Sequence, residues 1–276
     1  MTNAFSVARP TGAWWEGFRQ RVRLHVVFQP IVDLGSGAPI GYEVLGRATA
    51  LDRSEDGADL PGPAHLLEVA YSRGCLVELE QSWRTLAIET IARQRPQHGV
   101  RYFLNVDPRV LEAPGFRSGL TREILTRHGL IPEQFVFELT EAGAALDTAK
   151  LVAVVRHYSD QGFGVAIDDV GAGYASLRAL LQLRPNLLKL DRRVVAGVSH
   201  DGFRSALVRA LAEFADRTGI ELVAEGIETL ADLRALIDLG VSLGQGYLVG
   251  RPAARPVPPP YDRVLDAIDA PLKASA

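Results

Sequence analysis

The chain has 276 residues, 47% of them hydrophobic and 23% charged, with a formal net charge of −3. That length suits one (β/α)8 barrel of roughly 250 residues, or two small domains, and can bury a core without disulfide staples. The near-neutral balance excludes a surface built to coat a polyanion: an anionic ligand would need local cations, and DNA or RNA is not an expected partner. The one cysteine, Cys75, has no partner within the chain, which fits a reducing compartment and a small buried residue rather than a catalytic thiol. Met1 to Gly12 lacks the basic-then-apolar pattern of a secretory signal, and no run approaches the roughly 18–20 apolar residues of a membrane span. The chain therefore reads as cytoplasmic.

In chain order, Trp14–Val22 reads as a short helix with Trp15 and Phe18 on one side. His25–Phe28 and Pro39–Gly46 read as β segments joined by Asp33-Leu34-Gly35-Ser36-Gly37, a hairpin signal. Leu51–Pro63, rich in Asp, Gly and Pro, reads as a loop. Helices are expected at Pro63–Ser72 and Leu79–Arg95. From there strands alternate with helices: Arg101–Asn105 with Gly119–His128, Phe135–Leu139 with Ala144–Tyr158, Phe163–Ile167 with Tyr174–Leu183, and Leu187–Leu190 with Phe203–Thr218. Leu222–Ala224 precedes Thr229–Leu239, and Val241–Leu243 precedes a last helix near Tyr261–Ile268. In the Phe203 helix, Phe203, Leu207, Ala210, Leu211 and Phe214 fall at three- and four-residue spacings, which predicts one apolar face laid on a sheet. Gly219 stands where a left-handed cap would follow.

This alternation predicts an α/β fold, either a doubly wound sheet or a barrel. The strands are short and almost continuously apolar, and polar residues recur where strand after strand ends, which favours a (β/α)8 TIM-type barrel. The hairpin signal makes its first strand irregular or antiparallel. The expected division is an N-terminal helical segment (1–23), the barrel (24–252), and a Pro-rich spacer with a C-terminal helix (253–276).

The strand-end residues form a set: Glu43, Asn105, Glu138 with Glu141, Asp168 with Asp169, Lys189 with Asp191, Glu225 and Gln245. In a barrel they would converge on one mouth, where five or more carboxylates repel one another unless cations neutralise them. An all-oxygen donor set selects Mg²⁺ or Mn²⁺ over Zn²⁺, and the six scattered histidines show no metal-ligand spacing. Adjacent Asp168 and Asp169 can serve two ions, and a pair about 3.5–4 Å apart is the usual device for in-line phosphodiester hydrolysis. Taken singly, each residue has an ordinary reading: Asp168 as a helix cap, Lys189 or Arg47 as an ion-pair partner, Gly171 and Gly173 as a flexible loop without the Lys-Ser/Thr of a P-loop. The weight lies in their order and placement.

That order resembles the EAL-domain cyclic di-GMP phosphodiesterases. Phe28-Gln29-Pro30-Ile31-Val32-Asp33-Leu34 and Glu43-Val44-Leu45-Gly46-Arg47 are similar to the family's opening. Asn105, Glu138-Leu139-Thr140-Glu141, Asp168-Asp169-Val170-Gly171-Ala172-Gly173-Tyr174, Lys189-Leu190-Asp191, Glu225-Gly226-Ile227-Glu228 and Gln245-Gly246-Tyr247 then follow in the family's order, so the resemblance runs from about Leu24 to Pro252. It implies hydrolysis of cyclic di-GMP to linear 5′-pGpG with two Mg²⁺ or Mn²⁺ ions. Glu43, Asn105, Glu138 and Asp168 would bind the first ion, and Asp168, Asp169 and Glu225 the second. Glu43, Lys189 and Glu225 would carry the chemistry. Gln29, Leu45, Arg47, Asp191 and Gln245 would face the substrate, while Glu141, Gly171, Gly173 and Glu228 would support the loop beside the ions. It also implies a homodimer; dimerisation, metal supply or a separate regulatory protein partner could set the activity.

Two departures stand out: the signature is Glu-Val-Leu rather than Glu-Ala-Leu, and Val170 replaces a common Phe, which could loosen the loop and lower metal affinity or rate. Neither removes an implied ligand. The competing function is a catalytically weak cyclic di-GMP receptor acting through a protein partner; a barrel hydrolase for other phosphodiesters is a third.

Overall fold

Eight strands close into a barrel in chain order: β1 (Val22–Asp33), β2 (Pro39–Ala50), β3 (Arg101–Val106), β4 (Phe135–Thr140), β5 (Gly164–Val170), β6 (Leu187–Leu190), β7 (Glu221–Ala224) and β8 (Leu243–Gly244). The computed structural model describes residues 11–51, 60–94, 99–140, 148–172, 177–259 and 265. As the hairpin signal predicts, β1 runs antiparallel to both its neighbours, β2 and β8, while β2 to β8 run parallel. The Asp33 carboxylate accepts the Ser36 N–H at 2.7 Å and Gly37 turns at φ +71°, which closes the hairpin. Both hairpin strands are longer than the residue pattern indicates. β2 pairs with β3 only from Gly41 to Val44, then continues to Ala50 against β1 alone as an arm beyond the barrel.

Helices α1 (Thr11–Arg21), α2 (Pro63–Ser72), α3 (Leu76–Arg93), α4 (Leu120–Arg127), α5 (Thr148–Ser159), α6 (Leu177–Leu183), α7 (Arg192–Val195), α8 (Gly202–Thr218) and α9 (Leu230–Asp238) surround it. Trp15 and Phe18 of α1 pack with Leu66 and Ala70 of α2, Cys75 just before α3, and Leu79 of α3, so the tryptophan-rich start is bound to the barrel's outside and Cys75 is buried. The expected starts of α5 at Ala144 and α6 at Tyr174, and the helix near Tyr261–Ile268 apart from Leu265, lie outside the described residues. Among the described residues no helix is long and apolar enough to cross a membrane.

The barrel interior explains where the site must be. Ile31, Phe103, Val136, Ala166, Leu187, Val223 and Leu243 form one buried apolar layer, one residue from each of seven strands. Gly41 supplies the eighth place: a Cβ there would stand 2.6 Å from the Phe103 ring, so only hydrogen fits. Because side chains alternate along a strand, the next inward position is two residues further along every strand.

The apolar stripe of α8 does not face the barrel as its spacing predicts. Val208, Ala212 and Ala215 are buried, while Phe203 is 86% exposed and Leu207 and Phe214 are exposed too. The rotation is set at its N-terminal end. Arg204 donates to the carbonyls of Arg193 and Ala196, and the Ser205 hydroxyl donates to the Val198 carbonyl at 2.6 Å. With those bonds made, Val208 and the small alanines meet the core, and the stripe turns to solvent except for Leu211, which packs partly against that core. Gly219 takes the left-handed cap at φ +70° as expected.

Candidate active site

Two residues beyond the apolar layer, each strand or its immediate extension presents a polar side chain: Gln29, Glu43, Asn105, Glu138, Asp168, Lys189, Glu225 and Gln245. On the antiparallel β1 the step runs backwards, from Ile31 to Gln29, and Gln29 lies directly opposite Glu43 in the ladder. All eight were singled out in the sequence, and the fold brings them to one end of the barrel.

Lys189 is at the centre. It has no exposed surface, and its ammonium lies 2.6 Å from Glu225 Oε1, 2.7 Å from Glu138 Oε1, and 3.5 Å from both Glu43 Oε2 and Asp168 Oδ1. Glu43 is held from two further sides, by the Asn105 amide at 3.0 Å on Oε1 and the Gln245 amide at 2.6 Å on Oε2. The backbone N–H of Asp169 donates to Asp168 Oδ1 at 2.9 Å, and Asp169 takes φ +58°, a left-handed conformation that Asp tolerates better than most residues. Carboxylate oxygens of Asp168, Asp169 and Glu225 lie within 4.8 Å of one another, a spacing that can hold a cation.

The charges follow from this crowding. Burial, aided by Glu43 and Asp168, pushes Glu138 well above the usual carboxylate range even with Lys189 beside it. Burial raises Asp168, raises Glu225 to about 8, and raises Asp169 to about 6 with help from Asp168 and Asp191. Glu43 alone of these goes down: burial works against its charge, but Lys189 and the Gln245 and Asn105 amides outweigh it. Burial likewise opposes the Lys189 charge, yet Glu138, Glu225, Glu43 and Asp168 keep it firmly protonated. Five carboxylates against one ammonium form a site short of positive charge, and its donors are all oxygen, which fits hard divalent cations such as Mg²⁺, Mn²⁺ or Ca²⁺.

Beside the carboxylates opens a cleft of about 720 Å³, lined on one wall by Glu43, Leu45 and Arg47 and on the others by Asn105, Asp168, Asp169 and residues of α2 and α3. Leu45 and Arg47 stand on the hairpin arm. The Trp83 indole N–H donates to the Arg47 carbonyl at 3.2 Å, and its ring fills the space above Gly46, 2.8 Å from where a Cβ would be. Gln29 donates to the Gly250 carbonyl at 3.2 Å. Asp191 caps α7 and binds Arg193 through its N–H at 2.7 Å and Nε at 2.8 Å. Those Arg193 bonds, working against burial, hold the Asp191 carboxyl below its ordinary value. Glu228 pairs with Arg192 at 3.1 Å on the surface. Gly171 turns at φ +100° against Val194, where a Cβ would collide. Glu141 and Gly173 lie outside the described residues.

Sequence reasoning passed over the cleft's other wall: Glu68, Glu80, Trp83, Arg84, Asp107 and Arg109. A signal existed for two of them. Glu80 and Arg84 fall on the same stripe of α3 as Leu76, Ala87, Ile88 and Ile91, where a charge pair has no place unless it is buried and used.

Comparison with known proteins agrees with this architecture. Residues 14–252 match the EAL domain family. The chain is 31% identical over 239 residues to the bifunctional diguanylate cyclase/cyclic di-GMP phosphodiesterase MucR of Pseudomonas aeruginosa, covering 85% of this chain and 33% of MucR. It is 32% identical over 228 residues to the cyclic di-GMP phosphodiesterase RocR of the same organism, covering 82% of this chain and 56% of RocR. The chain thus spans between a third and somewhat over half of these relatives. The structure of the MucR phosphodiesterase in complex with c-di-GMP superposes with a TM-score of 0.71 at 29% identity, covering 85% of this chain and 92% of that one. BlrP1 of Klebsiella pneumoniae, solved as a manganese/cy-diGMP complex, gives 0.71 at 27% identity over 83% of this chain and 56% of its own.

Proposed function

We propose, proceeding from the fact that this chain belongs to the EAL domain family, that it is a metal-dependent phosphodiesterase opening cyclic di-GMP to linear 5′-pGpG. The observation that carries this reading is the polar layer itself, above all Asp168, Asp169 and Glu225 with carboxylate oxygens within 4.8 Å beside Glu43 and Glu138. Glu43, Asn105, Glu138 and Asp168 would hold one Mg²⁺ or Mn²⁺ ion, and Asp168, Asp169 and Glu225 a second. Such ions, when bound, polarise the phosphodiester and lower the pKa of water at their coordination sphere.

The chain's own residues do the rest. Asn105 and Gln245 fix both oxygens of Glu43, so its carboxylate is aimed before any ligand arrives. Lys189, wholly buried among the carboxylates, would supply a fixed positive charge beside the ion site and orient the attacking water. The cleft gives a dinucleotide room beside the carboxylates, with Arg47 facing phosphate or guanine and Leu45 beside it. Gln29, Asp191 and Gln245 do not line this cleft and would act on the substrate from the barrel mouth, where they bond to Gly250, Arg193 and Glu43 respectively. Val44 is buried in the main core, and the Glu-Val-Leu form of the signature leaves the Glu43 carboxylate in place. The test is turnover of cyclic di-GMP by the parent chain and by Glu43→Gln under saturating Mn²⁺. Turnover in the parent and its loss in the variant is expected; equal rates in both would refute the role of Glu43.

A further inference from the structure

In the cleft wall, α3 carries a buried ion pair that the proposed chemistry does not use. Glu80 Oε2 accepts from Arg84 Nη2 at 2.8 Å, one helical turn apart, and both side chains are buried. The other Glu80 oxygen accepts the backbone N–H of Asp107 at 2.8 Å, two residues past Asn105 on the exit of β3. Arg84 reaches the other way: Nη1 donates to the Thr121 hydroxyl on α4 at 3.2 Å, and the guanidinium lies over the Phe137 ring, 5.1 Å from its centre. Phe137 immediately precedes Glu138 on β4. One buried pair therefore grips the backbone just beyond one proposed ion-binding residue and packs on the side chain just before another.

Stability is a poor reason for such a pair. Desolvating two charges costs about what their attraction returns, and apolar residues of similar volume often do as well or better. What a charged fork offers over a methionine is direction: it fixes Asp107 and Thr121 at set distances from α3. Ion sites respond to that, because their donors must be held within about 0.5 Å, and outer partners of metal ligands typically change metal affinity or activity by about 10–100-fold when removed.

We propose that the Glu80–Arg84 pair is a positioning device for the carboxylate layer, holding the ends of β3 and β4 so that Asn105 and Glu138 meet a divalent ion in register. This rests on reading the layer as a metal site. Neither residue belongs to the carboxylate layer, so their contribution appears first in metal affinity.

The experiment is Mn²⁺ titration of the full chain followed by electron paramagnetic resonance, with melting temperature measured alongside. The variants are Glu80→Met/Arg84→Met, which removes both charges together, and Arg84→Lys, which keeps a charge but loses the fork. The double variant is expected to melt no lower than the parent and to bind Mn²⁺ about 10–100-fold more weakly, with Arg84→Lys in between. A folded double variant with parental Mn²⁺ affinity would overturn the proposal. If the double variant fails to fold, Arg84→Lys decides: parental Mn²⁺ affinity in it overturns the proposal equally. A parent that binds no Mn²⁺ would overturn the metal reading itself and this proposal with it, a failure visible before any variant is made.

Discussion

The Lys189 ammonium lies 2.7 Å from Glu138 Oε1, and neither side chain has any surface in water. Removing one member of a fully buried charge pair leaves the other uncompensated, which typically costs about 3–5 kcal/mol. Here three more carboxylates share the same cation, so Lys189→Met is expected to lower the melting temperature sharply in EDTA. If the layer binds cations, Mn²⁺ then replaces the lost charge and restores much of the loss. Melting curves with EDTA and with Mn²⁺ measure both; a variant melting like the parent in EDTA would contradict the electrostatic account of the site.

The Glu80–Arg84 pair makes a pH prediction. Burial pushes the Glu80 carboxyl up to about 7 although Arg84 is beside it. A folded-state value raised above the unfolded one gives stability that is full below about pH 4.3 and lost as pH rises through 7. Glu80→Met/Arg84→Met lacks that loss, so its melting temperature relative to the parent is expected to climb between pH 5 and pH 8. A constant difference across that window would show that Glu80 ionises as easily in the fold as outside it.

Two phenylalanines separate the faces of the structure. Phe137 is fully buried with its ring 4.0 Å from that of Tyr158 and 5.0 Å from that of Phe163. Phe137→Ala should cost about 3–5 kcal/mol. Phe203, on the stripe of α8 that faces solvent, should cost within about 0.5 kcal/mol on the same change. Denaturant unfolding of both variants checks this, and a large loss at Phe203 would return that stripe to the core.

Why the site was legible and α8 was not comes down to the range of the interactions involved. Phe103 and Asn105, Val136 and Glu138, Ala166 and Asp168, Leu187 and Lys189, Val223 and Glu225, and Leu243 and Gln245 repeat one step, an apolar residue and then a polar one two places on. Strand periodicity is local, so the polar layer could be read before the barrel was known, and its order carried the family resemblance. The residue pattern ends the hairpin arm at Gly46 because its last residues are held by pairing between β1 and β2 and by the Trp83 contact to Arg47, both long-range properties. The orientation of α8 depends on Arg204 reaching carbonyls of the preceding segment, which no periodicity encodes. Glu80 and Arg84 look like an interruption of an apolar stripe until α3 is set against β3 and β4, where their partners are.

The central claim is that the polar layer works as a metal-dependent phosphodiesterase site. The most direct measurement is incubation of the purified chain with cyclic di-GMP in Mg²⁺, in Mn²⁺ and in EDTA, with products resolved by chromatography. The account predicts linear 5′-pGpG with either ion and none in EDTA. Tight binding of the nucleotide with no product under any condition would contradict it and make the chain a receptor built on the same layer.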